Sequence, residues 1–348
     1  MEAARRASAS DDFEPVACCG CGGRDAALVV ALDVDREYVG ILPDHLSRGA
    51  FRIVRCGSCR WIYLNPRPRS DRVQAWYPPE YCCFAELPPR HPLMRLFYRV
   101  LASRRARSAL RDLPDDGVVL DFGCGTGHWL DAIARARRPR QRLVGIDPNE
   151  AAVAAVRARG LEGHVGAEDA LARAVAPGSV DVVLLNHVIE HVPDPRATLR
   201  ALVRVLKPGG TILGATPNAA AWDARLFGAD WVGWHVPRHF VVFDPGTFAG
   251  LVRDAALELV SLRSSLEAGS HWAMSLHTAV ARRVGWEPRP GRLRSRVYPL
   301  LVALGVGVAA AQSLFETTSV MAFALRKPRA GASTASAGSR APAPGTGR

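Results

Sequence analysis

The 348-residue chain is 48% hydrophobic and 22% charged, a balance that excludes a disordered polymer and supplies a sizeable core. Lys+Arg number 45 against 33 Asp+Glu, a formal net charge of +12. Lysine occurs only at Lys207 and Lys327, so the excess is arginine spread along an Ala- and Gly-rich chain, a compositional bias that speaks weakly for nucleic acid.

The opening "MEAARRASASDDFEP" has no apolar core segment, so residues 1–14 are expected to form a disordered N-terminus in a cytoplasmic protein. Eight cysteines in that setting point to thiols or metal rather than disulfides. Cys18 and Cys21 make one C-x-x-C knuckle, Cys56 and Cys59 a second. Each knuckle aims two thiolates at one ion, and two complete a tetrahedral shell. Residues 15–80 therefore read as a zinc-ribbon-like module with "ALVVAL" and "FRIVRC" as strands. A closed shell of four thiolates leaves no position for water, so its zinc would be structural. Cys19 is an alternative to Cys18, and Cys82, Cys83 and Cys124 are expected to be free thiols. Arg95–Arg111 reads as an amphipathic helix whose arginines form a solvated face or meet an anionic lipid or phosphorylated substrate.

The strongest signal begins at "GVVLDFGCGTGHWLDAIARA". Val118–Leu120 fits a strand buried on both faces. Gly123, Gly125 and Gly127 then form a turn against which a ligand can lie, before a helix from His128. Asp121 precedes the turn, and Asp147 ends the second strand, where one carboxylate can hold a ribose diol. Strands and helices alternate onward through "VDVVLLNHV", "PRATLRALVRVLKPGG", "TILGATPN", a helix opened by Asp244 and Pro245, and "LELVSLRSS". That order predicts an α/β fold, a Rossmann-like doubly wound, mainly parallel sheet. Its domain spans 90–328, with a core at 117–264, an apolar helical insertion at about 270–316 and a final strand at about 319–326. "YPLLVALGVGVAAAQSLF" is short for a bilayer crossing, and Gly305 and Gly307 favour close helix packing. A buried helix or a hairpin at the inner membrane face remains. The tail, 329–348, is low-complexity and expected to be disordered.

In order, "VLDFGCGTG", "GIDPNE", "AEDA", "VDVVLLNHVIEHVPDP" and "LKPGGTILGATPN" resemble the motifs of class I S-adenosylmethionine-dependent methyltransferases. The double knuckle followed by "WIYLNPRP" and "YPPEY" is similar to a bacterial subgroup that carries a zinc-ribbon-like module. The resemblance implies that Asp121, Gly123, Gly125 and Gly127 line the methionine end of S-adenosylmethionine and that Asp147 holds its ribose. It also implies that Glu168 and Asp169 lie beside adenine, and that Asn186 and His187 face the transfer crevice. It argues against a metal on His187, Glu190 and His191.

An oxygen or carbon acceptor must lose a proton, so a histidine base is expected. "WVGWHVPRHFVVF" falls where this fold covers its acceptor. His239, His235 and His187 are the candidate bases, with Arg238 and Trp234 as acceptor-binding residues; the alternative makes the loop residues packing. The expected acceptor is a small molecule, a glycan or a lipid-linked compound. A quinone- or polyketide-type ring is the second reading, and a zinc-ribbon nucleic-acid-binding protein the third.

Overall fold

The computed structural model describes residues 12–35, 37–38, 41–79, 81, 92–285 and 298–329. Residues 1–11 and 330–348, and with them most of both expected disordered termini, lie outside it, as do Cys82 and Cys83.

The chain opens with β1 (Phe13–Glu14), β2 (Ala26–Val34), α1 (Asp44–Ser47), β3 (Arg48–Cys56), β4 (Ile62–Leu64) and β5 (Arg67–Pro68). The long helix α2 (Pro92–Leu110) leads into β6 (Val118–Phe122), α3 (His128–Ala134), β7 (Arg142–Asp147), α4 (Glu150–Ala158), β8 (Glu162–Val165), α5 (Glu168–Ala174) and β9 (Val180–Asn186). Then come α6 (Pro195–Val205), β10 (Leu206–Pro217), α7 (Trp222–Phe227), β11 (Val241–Val242), α8 (Pro245–Asp254), β12 (Glu258–Ser264), α9 (Ala268–Arg283), α10 (Tyr298–Ser313) and β13 (Val320–Arg326).

Seven strands form the central sheet in the order β12-β13-β10-β9-β6-β7-β8. β6 to β10 are mutually parallel, and β13 runs antiparallel between β10 and β12. This is the predicted doubly wound, mainly parallel sheet. Its parallel strands are buried apolar runs such as Val180–Asn186, as two covering helix layers require. The helices start where their caps dictate. Asn149 and Asp194 each accept from the backbone N–H three residues on, and Asp244 closes a capping box with Thr247, worth about 1 kcal/mol apiece. The strand order reverses between β6 and β9, so the crevice for a ligand lies at their carboxyl ends.

The second sheet runs β11-β4-β3-β2. Its edge strand β11 comes from within the expected methyltransferase domain and pairs antiparallel with β4. Leu64 N–H donates to Phe240 O at 3.0 Å, and Trp61 meets Phe243 edge-on at 5.3 Å. Ile53, Trp61 and Leu64 share one core with Trp231, Phe240 and Phe243. The cysteine-bearing segment is thus fused to the second half of the chain.

Among the described residues no helix is long and apolar enough to cross a membrane. α9 and α10 instead pack as a pair. A Cβ on Gly305 would stand 2.2 Å from Gly269 O, and one on Gly269 would stand 2.7 Å from Val306 N, so both crossing points need glycine. Gly307 faces no atom within 4 Å and takes no part in that contact.

Candidate functional site

The turn after β6 uses left-handed backbone at Gly123 (φ +79°), Gly125 (φ +50°) and Gly127 (φ +81°). A Cβ on Gly123 would come within 2.4 Å of Val188. The turn rests on Asp147, whose Oδ2 accepts from Gly125 N–H at 2.8 Å and whose Oδ1 accepts from Asn149 N–H at 2.9 Å. Burial pushes this carboxyl up, and the two backbone donors oppose the shift. Asp121 is 1% exposed, and its Oδ2 has no hydrogen-bond partner. Burial, then the neighbouring charge of Asp147, pushes Asp121 up to about 7 against the pull of Arg105. Asn186, ending β9, has an equally unsatisfied Nδ2. Unsatisfied buried polar groups cost about 1–3 kcal/mol each, and these two lie at the switch point, where a polar partner would relieve them.

The acids expected beside adenine are otherwise engaged. Glu168 accepts from the Thr198 hydroxyl, tying α5 to α6. Asp169 accepts from Ala167 N–H and pairs with Arg173 at 3.1 Å. Both carboxylates thus have local partners in the ligand-free structure.

Beyond β9 the chain bends at His187, a non-glycine residue at φ +51°. Its Nδ1 lies 3.1 Å from Glu190 Oε1 and its Nε2 3.5 Å from Glu267. Burial opposes the charged imidazole, but the two carboxylates outweigh it and raise His187 to about 9. His187 is therefore a cation at neutral pH, a donor rather than the expected base. Glu190, fully buried, also accepts from Thr216 at 3.0 Å, and Glu267 pairs with Arg105 at 2.6 Å. Arg105 lies over Trp129, 4.3 Å from the ring centre, so this arginine of α2 faces inward to the site.

The loop before β11 is tied to the same turn, because Phe240 and Val241 N–H both donate to Glu190 O, at 2.8 and 3.2 Å. This brings His191 together with His235 and His239, with ring centres at 4.6 Å (His191–His239), 4.8 Å (His235–His239) and 5.9 Å (His191–His235). His239 Nδ1 donates to Gly233 O at 2.8 Å, and His191 Nδ1 lies 2.9 Å from the Tyr77 hydroxyl. Burial, aided by the other rings, holds His191 down at about 3; burial holds His239 at about 4 and His235 well below the usual range. All three are neutral at physiological pH. Glu267 and Tyr77 were not singled out as site residues from sequence, and His191 was weighed there only as a metal ligand beside His187 and Glu190.

Arg238 and Trp234 do not meet the expectation of free acceptor-binding groups. Arg238 is 0% exposed. Its guanidinium donates to Asp35 and to Trp76 O and lies 4.2 Å from the Tyr38 ring centre. It binds the N-terminal segment to the loop because a buried cation must be paired. Trp234 is buried, with Nε1 donating to Gly228 O at 2.9 Å. One of its faces lines a small cleft with Leu32, Glu37 and His235.

At the far end of the module, Cys18, Cys21, Cys56 and Cys59 offer four sulfurs within 4.8 Å of one another. The Cys18–Cys59 and Cys21–Cys56 pairs are 3.5 Å apart, near the about 3.8 Å separation of thiolates around tetrahedral zinc.

A methyltransferase-domain family model matches residues 94–262. The ubiquinone biosynthesis O-methyltransferase of Ralstonia nicotianae is 32% identical over 205 residues, covering 56% of this chain and 80% of that protein. The chain belongs to the class I S-adenosylmethionine-dependent methyltransferases. The methyltransferase is also 32% identical over 229 residues to the protein of the same name from Xanthomonas campestris, with 58% and 90% covered. Among solved structures, geranyl diphosphate C-methyltransferase from Streptomyces coelicolor aligns at a TM-score of 0.46 and 12% identity, covering 69% of this chain and 86% of that one.

Proposed function

We propose that the enzyme methylates a hydroxyl oxygen of a small, ring-bearing acceptor. In this reading Asp121, Gly123, Gly125, Gly127, Asp147 and Asn186 hold S-adenosylmethionine along the carboxyl ends of β6, β7 and β9. The unsatisfied Asp121 and Asn186 atoms and the open lone pairs of Asp147 suit its polar groups. Bound there, it supplies an activated methyl group; the chain supplies alignment. Gly123→Ala is expected to weaken cofactor binding tenfold or more by calorimetric titration, because the left-handed backbone and Val188 both oppose a side chain (about 1–2 kcal/mol for the backbone alone). Unchanged affinity would remove this loop from the binding site.

The observation that carries the oxygen reading is the convergence of His191, His235 and His239, each with one ring nitrogen within 4.8 Å of the others. A hydroxyl must lose its proton to become a good nucleophile, and imidazole nitrogens are the groups beside the turn after β9 that can receive it. His187, with both ring nitrogens on Glu190 and Glu267, ties the turn after β9 to the start of α9. The relatives named for ubiquinone biosynthesis favour a phenolic hydroxyl on a ring-bearing acceptor. A lipid-linked acceptor at a membrane surface is a second reading, favoured by Leu300, Leu304, Leu314 and Phe315, which are more than half exposed on and just after α10. His239→Ala and His235→Ala should leave S-adenosylmethionine affinity within about twofold. At least one should cut turnover on a catechol panel by about 10² or more. Full activity in both would reduce the histidines to packing.

The four cysteines are proposed to hold structural zinc. Cys21→Ser with Cys59→Ser is expected to lose that zinc and lower the melting temperature, because metal binding is linked to folding. Unchanged metal content and stability would show the thiols to be independent of metal.

A further inference from the structure

Removing one proton needs one imidazole, yet three converge here. One ring nitrogen from each of His191, His235 and His239 lies within 4.8 Å of the others. The rings are nearly perpendicular, at 81°, 80° and 87°, which rules out stacking as the reason for their closeness. Imidazoles that share an ion at bond lengths of about 2.0–2.1 Å have ring centres about 4.5–5.5 Å apart. Two of the three observed separations fall in that range, and the third lies just above it.

The remaining nitrogens are held as metal-bound histidines usually hold theirs. His239 Nδ1 donates to a backbone carbonyl, which leaves its Nε2 with a lone pair, and His191 Nδ1 lies against the Tyr77 hydroxyl, which leaves its Nε2 free to ligate when Nδ1 carries the proton. His235 Nε2 lies 3.2 Å from a Glu37 carboxylate oxygen, off the hydrogen-bond line. His235 is also stacked on Tyr81, 6.0 Å between centres at 8°, so its orientation is fixed by packing.

We propose that His191, His235 and His239 bind a divalent transition-metal ion of the zinc, cobalt or nickel kind, with a coordination position open to the acceptor hydroxyl. Three neutral imidazoles select such ions over magnesium or calcium, which prefer oxygen. Three protein ligands with an open fourth position are also the catalytic rather than the structural arrangement. At the ion the acceptor's O–H bond breaks, oxygen keeps the electron pair and the proton leaves to solvent. This deepens the oxygen-acceptor reading and rests on it: the histidines act as ligands, and the ion ionises the hydroxyl.

The test uses the full chain with its cysteines intact. After dialysis against Zn2+, wild type is expected to hold about one equivalent more than His191→Ala/His235→Ala. His235→Phe, which keeps the ring against Tyr81, serves as the second variant, and S-adenosylmethionine titration confirms that each is folded. In wild type, Co2+ should give visible absorption free of thiolate charge transfer, lost in both variants. 4-Nitrocatechol, whose spectrum shifts when its oxygens bind a metal, reads the open position. Equal metal content in folded wild type and variants overturns the site; metal bound without a nitrocatechol shift overturns its open position. These readouts need no turnover. Metal at the histidines in an enzyme that methylates no hydroxyl would overturn the oxygen reading and leave the site standing.

Discussion

Replacing Arg238 with alanine is expected to destabilise the protein by about 3–5 kcal/mol, the usual consequence of stranding one member of a buried ion pair. Asp35, 2% exposed, would lose its cationic partner and retain, among the described residues, the Glu37 and Tyr38 N–H donors. The Trp76 carbonyl would lose its guanidinium donor, and Tyr38 the cation 4.2 Å from its ring centre. The loss is read as a fall in the urea midpoint. The pair as a whole is worth far less than either half, because two desolvated charges consume most of their own attraction. The double replacement Arg238→Met with Asp35→Leu should therefore recover most of the stability. A single-variant loss below about 1 kcal/mol would contradict the buried-pair account. So would a rise in acceptor KM at unchanged stability, which is what an acceptor-binding arginine would give.

The central sheet was legible because its signals are local. Alternating apolar strands, the glycine turn at 123–127 and the caps at Asn149, Asp194 and Asp244 each act within a few residues. The cysteine pairs were legible for the same reason. The partners of "GWHVPRHF" were not. His191 is 44 residues before His235, Asp35 is 203 residues before Arg238, and only the tertiary fold sets those distances. Arg238 read as an anion-binding group because sequence shows a charge and hides its burial. His187 read as a base because sequence does not reveal that Glu267, from the start of α9, reaches its ring. The fusion of the two sheets was hidden by brevity: β11 is two residues long and carries no periodicity.

Cofactor affinity is expected to rise with pH from about 6 to 8 and then level off, with Asp121 as the controlling group. Burial, with Asp147 nearby, raises its carboxyl to about 7, so the empty site is largely neutral at pH 6 and charged at pH 8. In the proposed mode it lies at the methionine end, whose amino group is cationic, and a cation prefers the charged carboxylate. Binding then releases a proton below pH 7, and affinity should fall about tenfold per pH unit there. The unliganded fold responds with the opposite sign. Its Asp121 holds a proton that the unfolded chain, at 3.8, gives up, so the contribution to stability is present below about pH 4 and declines as pH rises toward 7. The full difference is about 4 kcal/mol. Asp147, also pushed upward, is the other carboxyl that could titrate here, and Asp121→Asn separates the two. The variant should bind more weakly at pH 8, with a nearly flat profile from 6 to 8 and no buffer-dependent proton release by calorimetry. A wild-type slope that persists in Asp121→Asn would transfer the role to Asp147 and leave the unsatisfied Oδ2 of Asp121 without a ligand to explain it.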